Sequence, residues 1–157
     1  MTWWTDLLGW IHPGPIPPAP TPVPSPTPDA DVSIELLKLI NAARTTSALA
    51  ALSPDARLVA AAQEHATRMA AVGVLAHQGI LDGTPWRRAS NAGYQPTEVA
   101  ENIAEGFPNA AAVVSAWLAD PPHRVNILGP SSNFGAAVAA DGTGRLWWSA
   151  TFAEPRA

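Results

Sequence analysis

From residue 31 onward the chain alternates short apolar clusters with polar punctuation, and the spacing of those clusters predicts three helices and three strands. Asp31 or Ser33 supplies a helix cap, after which Leu36, Leu37, Ile40 and Ala43 recur near one face through about Thr46. Ser53-Pro54 marks a second start, with Ser as the cap and Pro at a first helical position where no backbone donor is needed. This helix is expected to run to Val72 and stop at Gly73, with Leu58, Ala62, His65, Met69 and Val72 facing inward. Asn109 caps a third helix that carries Val113, Val114 and Trp117, and Pro121-Pro122 end it. Strands are predicted at 99–105 and in a terminal hairpin, 134–140 with 145–153, joined through Asp141-Gly142-Thr143-Gly144. Trp147 and Trp148 point to opposite faces of the last strand, so one of them is free to face outward. Spacing alone gives α plus β and no topology.

The first thirty residues follow a different pattern. Residues 13–28 hold nine prolines among mostly Ala, Thr, Ser and Val, so 13–30 is expected to be a semi-rigid polyproline spacer between residues 1–12 and a domain at 31–157. In residues 1–12, Trp3, Trp4, Leu7, Leu8 and Ile11 recur at helical spacing with Trp10 at the edge of the stripe. A signal peptide is not expected, because no basic stretch precedes the apolar run, Asp6 interrupts it, and no small-residue cleavage site follows. The segment is too short to span a membrane. Docking on a protein partner or lying in a membrane interface both remain open, with a disordered apolar terminus as the plain alternative; the lack of Lys and Arg favours protein docking. His12, just before the prolines, is expected to be solvent-exposed.

Composition narrows the function classes. At 157 residues, with 47% apolar and 14% charged residues, the chain suits one domain plus a tail. A net charge of -4 without a cationic cluster argues against a nucleic-acid partner. There are no cysteines, which excludes disulfides and thiolate metal sites. No serine-nucleophile, phosphate-loop or metalloprotease-helix motif is present.

The chemistry-bearing residues lie in the second half. His77 follows the apolar Val74-Leu75-Ala76, and His123 follows two prolines that restrict its backbone. Converged, the two rings can bind Zn²⁺ or another divalent metal weakly, at about 2.0–2.1 Å with water completing the shell. Glu101, among Val99, Ala100, Ile103 and Ala104, needs hydrogen bonds if buried, and orienting one histidine or accepting backbone amides beside Asn102 would each supply them. Each histidine has the alternative of a plain hydrogen-bonded loop residue. His65 is expected to be a core histidine with one hydrogen bond. Arg124 and Asn126 are expected to tie their loop to backbone carbonyls.

From Ile34 to Ala153 these residues fall in five ordered segments. They are Leu36-Leu37-x-x-Ile40-Asn41-x-x-Arg44; His65-Ala66-x-x-Met69-Ala70 leading to Ala76-His77; Ala100-Glu101-Asn102-Ile103-Ala104; Trp117 with Pro122-His123-Arg124-x-Asn126-Ile127-Leu128; and Phe134-Gly135-Ala136-Ala137 with Trp147-Trp148 and Phe152. In this the chain resembles the CAP superfamily (cysteine-rich secretory proteins, antigen 5, pathogenesis-related proteins), in its compact bacterial branch. The resemblance implies an α+β fold, an α-β-α sandwich with helices on both faces of a largely antiparallel sheet. It also implies that His77 and His123 are the two cavity histidines and that the domain is extracellular or surface-displayed. The family often places a second acid three residues after the matching Trp. That position is Asp120 here, one methylene shorter than the usual Glu, and it is read either as a cavity group or as part of the turn before Pro121.

Three functions from different classes follow. One is a binding module with a His77/His123 metal-capable cavity supported by Glu101, Asp120, Asn102 and Arg124, tethered through residues 1–12. Its ligand would be a small apolar molecule or a peptide. The second is a metal-dependent hydrolase in which His77, His123 and Glu101 activate water. The third is a structural or decorating component of a surface structure or phage particle.

Overall fold

A computed structural model of the chain describes residues 28–156; the expectations for residues 1–12 and for the spacer up to residue 27 lie outside the described residues. The first helix, α1 (Pro28–Thr46), begins three residues before the expected domain start, with Pro at the one helical position where a missing N–H costs nothing. Asp31 is therefore not its cap, and neither is Ser33. Its hydroxyl is buried instead and accepts the Ala136 amide at 3.1 Å.

Ser53-Pro54 does not open the second helix but forms a two-residue strand, β1, parallel to the later strand β3 (Asn133–Ala140). Asp55 caps α2 (Ala56–Val72), its carboxylate accepting the Arg57 amide at 2.9 Å. Gly73 ends α2 as expected, at φ 68° with its amide on the Met69 carbonyl. Val72 is 54% exposed rather than inward, because the chain leaves the helix at that turn.

Three further elements had no sequence counterpart or changed extent. A helix α3 (Pro85–Asn91) is capped by Thr84. It precedes β2 (Pro96–Glu105), which starts three residues earlier than predicted. Pro121-Pro122 close α4 (Ala110–Ala119) but also open α5 (Pro121–Ile127), since the same ring geometry that ends one helix suits the first turn of the next. The hairpin of β3 with β4 (Leu146–Pro155) matches the prediction to within two residues at each end.

The strand order is β1-β3-β4-β2, antiparallel except for the β1–β3 pair. Alternation divides the sheet between two cores. Phe134, Ala136, Trp148, Ala150 and Phe152 pack with Leu36 and Ile40 of α1 and with Val113 and Trp117 of α4. On the other face Ala153 and Val99 pack with Leu58 of α2 and Ala89 of α3, and Trp147 and Ile103 pack with Met69. Helices cover both faces, so both Trp147 and Trp148 are buried and neither faces outward. The result is the α-β-α sandwich, with β2 at one edge of the sheet and the functional side chains gathered around that edge.

Candidate functional site

Glu101 and Asn102 are successive residues of β2 and so project to opposite faces of the sheet, where each organises its own histidine. On the α2/α3 face Glu101 is buried and uses both oxygens: Oε1 meets His77 Nδ1 at 2.9 Å and Oε2 accepts from Arg88 Nη2 at 2.5 Å. His77 leaves the Gly73 stop on the Val74-Leu75-Ala76 ledge, and its carbonyl also accepts from Arg88 at 3.0 Å. Its side chain is 55% exposed. The carboxylate thus takes the Nδ1 hydrogen and leaves Nε2 as the nitrogen available to a metal or a proton.

Below this pair lies a buried charged chain. Arg88 Nη1 donates to the Gly83 carbonyl at 2.6 Å and lies 3.5 Å from Asp82 Oδ2. Asp82 Oδ2 is 2.7 Å from His65 Nδ1. His65 Nε2 must carry hydrogen, since it donates to the Ala76 carbonyl at 2.9 Å. His65 is a core histidine, as expected, with two partners rather than one. Asp82 Oδ1 has no hydrogen-bond partner among the described residues and rests against Gly79, where a Cβ would come within 1.6 Å of it. A glycine is needed there for want of space.

On the opposite face Asn102 donates to the His123 carbonyl at 3.0 Å and accepts from Asn126, which also donates to the Glu101 carbonyl at 3.1 Å. His123 Nδ1 lies 2.5 Å from Asp120 Oδ2, and the imidazole sits tilted beside Trp117, ring centres 6.5 Å apart. Asp120 reaches its histidine despite the shorter side chain, because the two residues are one turn apart at the start of α5. Leu75, two residues before His77, lines a cleft of about 300 Å³ together with Ile103, Trp117, Asp120 and His123.

The structure therefore holds two separate histidine–carboxylate pairs, His77–Glu101 and His123–Asp120. Among the described residues no group of three or more His, Asp and Glu side chains is arranged to hold a metal ion.

Arg124 is exposed and makes no side-chain bond among the described residues, so the expected tie to backbone carbonyls is made elsewhere. Arg44 of α1 makes it, donating to the Ile127 and Gly129 carbonyls at 2.8 and 2.9 Å; burial lowers its pKa. Asn126 does tie its loop as expected. Sequence reasoning missed Asp82 and Arg88. The signal was Thr84-Pro85, a cap and first-turn pair that places a helix with Arg88 one turn in.

A family model for the cysteine-rich secretory protein (CAP) family matches residues 37–152, and the chain belongs to that family. It is 31% identical over 97 residues to the uncharacterised protein YkwD of Bacillus subtilis, covering 62% of this chain and 38% of YkwD. Among solved structures, an extracellular Bacillus anthracis protein containing an SCP domain superposes with a TM-score of 0.74 at 22% identity, over 83% of this chain and 44% of that one. An outer surface protein of Borrelia burgdorferi gives 0.72 at 21% identity, over 82% of this chain and 93% of that protein. The chain thus spans less than half the length of YkwD and of the Bacillus anthracis protein. At these identities the structural likeness speaks for the fold.

Proposed function

We propose that the domain is an extracellular or surface-displayed binding module whose two histidine–carboxylate pairs take a divalent cation, Zn²⁺ being the best match, in a site completed by water. One observation carries this reading: each ring has its Nδ1 against a carboxylate, Glu101 for His77 and Asp120 for His123. That arrangement orients an imidazole and leaves its Nε2 to face a ligand. With two protein ligands the ion is held weakly and exchanges readily. Asn102 fixes the His123 backbone, and Arg88 fixes both Glu101 and the His77 carbonyl, so the supporting shell is preformed. The extracellular and outer-surface descriptions of the structural neighbours support the location. Residues 1–12 are proposed to attach the module to a protein assembly through a spacer of prolines, and nucleic acid is not a proposed partner.

The second reading, a metal-dependent hydrolase, uses the same pair, since a carboxylate-held imidazole is also what a general base requires. Calorimetric Zn²⁺ titration of the full chain beside His77→Ala/His123→Ala tests the first reading. Saturable binding lost in the variant supports it, and equal binding in both proteins overturns it. Peptide hydrolysis that requires Zn²⁺ and both histidines would shift the assignment to the second.

A further inference from the structure

The outer edge of β2 is incompletely capped, and the gap is defined by hydrogen-bond parity. The Gly106 amide donates to the Leu146 carbonyl, in register with the β2–β4 pairing. In an antiparallel ladder residues alternate between those whose N–H and C=O face the partner and those whose groups face away. Even-numbered residues of β2 therefore bond to β4, and Val99, Glu101, Ile103 and Glu105 turn their backbone groups to the outer edge. Side chains of the helical layer cover two of these carbonyls: Asn126 donates to Glu101 and Trp117 to Ile103. Val99, and Glu105 at the end of the strand, have no such cover among the described residues.

At Val99 the edge opens into a groove of about 440 Å³ that straddles the strand. Trp86 of α3, 45% exposed, stands on one side of it and Val125 of α5, 65% exposed, on the other. Glu98 lines the same groove, and its carboxylate has no ion-pair or hydrogen-bond partner among the described residues.

We infer that Val99 is a docking point at which an extended peptide from another protein adds one short strand to the sheet. Two main-chain hydrogen bonds to Val99 hold the peptide. An apolar side chain packs on Trp86, and a neighbouring basic side chain pairs with Glu98. Alternation of a strand's side chains delivers these two contacts to opposite faces, where Trp86 and Glu98 stand. The chain's own N-terminal residues fit poorly, since the prolines of 13–27 lack the donor and residues 1–12 contain no Lys or Arg. The caps on the Glu101 and Ile103 carbonyls interrupt the edge beyond Val99, which predicts weak, short-motif binding rather than open-ended sheet growth.

The test uses the full chain, ¹⁵N-labelled, titrated with acetyl-Thr-Lys-Val-Val-Thr-amide to about 5 mM, a range suited to weak binding. Saturable shifts centred on Val99, Glu98 and the Trp86 indole are expected. Methylating the backbone nitrogens of the peptide's two central valines should weaken binding by about tenfold or more, since it removes the donor without touching the protein. Exchanging the peptide Lys for Glu should weaken it, and Glu98→Lys should reverse that preference. Absence of shifts, or equal binding of the methylated peptide, overturns the proposal. So does a Val99 amide that is already protected from hydrogen exchange and indifferent to peptide, which would assign the edge to the chain's own N-terminal residues.

Discussion

Arg88 Nη2 stands 2.5 Å from Glu101 Oε2, and both side chains are 1% exposed. One guanidinium from a seven-residue helix thereby holds the carboxylate that orients His77, and through the His77 carbonyl it also holds the loop that carries the ring. The fork geometry makes this possible, because two nitrogens of one rigid group reach four acceptors on three segments.

Removing one partner of that pair should cost far more than removing a surface pair. Arg88→Met leaves Glu101 buried without its cation and is expected to destabilise the fold by about 3–5 kcal/mol. Arg57→Ala breaks a pair with Asp55 in which the guanidinium is exposed and screened by water, and should cost far less. Urea unfolding of both variants checks the contrast, and similar midpoints would show that the Arg88 pair is not a keystone.

Glu101→Ala should lower the urea midpoint, and weaken any Zn²⁺ binding, more than Glu98→Ala. The first carboxylate is buried between Arg88 and His77, while the second is exposed. Equal effects in both assays would remove Glu101 from its special role.

Gly135 on β3 faces α2 so closely that a Cβ would lie 2.2 Å from the Val59 nitrogen and 2.3 Å from the Leu58 carbonyl carbon. Both are backbone atoms, so the helix itself must move. Gly135→Ala is expected to cost about 2 kcal/mol or more. Gly142→Ala, with nothing within 4 Å, should have little effect. Thermal unfolding distinguishes the two.

Tyr94, the sole tyrosine, is buried and donates to Asn133 at 2.8 Å. Burial first, then the Asp55 and Glu154 carboxylates, push its hydroxyl up to about 12. Because the unfolded tyrosine ionises near about 10, its contribution to stability is complete below that pH and is lost as pH climbs toward the folded value. Ultraviolet titration should show a single tyrosinate transition near about 12 while the fold persists. A reversible midpoint in the folded protein at the unperturbed value of about 10 would contradict the burial argument.

Asp141 supports the opposite limb. The Thr143 hydroxyl, the Trp147 indole and the Thr143 and Arg145 amides donate to it, holding its carboxyl well below the usual carboxylate range. A depressed pKa adds stability above the unfolded value of about 3.9 and loses it as pH falls toward the folded one. Asp141→Ala should therefore be less stable than the parent near neutral pH, with the gap closing on acidification. A gap independent of pH would show that the turn acts through shape alone.

Much of the domain was legible because its signals are local. Gly73, Asn109 and the Asp141 turn act within one turn of chain, so helix ends and the hairpin follow from neighbouring residues. His77, Glu101, Asn102 and His123 also stood out from the apolar segments around them. Other features depended on distant partners. Ser53 and Ser33 carry the right chemistry for caps, but the β1–β3 pairing and the Ala136 amide claim them. Val72 follows the helical period and yet lies where the chain has already left the core.

Hydrophobic period was enough to specify an α plus β domain with α1, α2, α4 and the terminal hairpin, and the ordered motifs, through the family resemblance, implied helices on both faces of the sheet. Packing was required to settle that His77 and His123 each face their own carboxylate, that Arg88 and Asp82 underlie the first pair, and that Arg44 rather than Arg124 ties the α5 loop. The physical reason is that a buried ion pair joins residues far apart in sequence through distance and exclusion of water, and neither property is written in the spacing of residues along the chain.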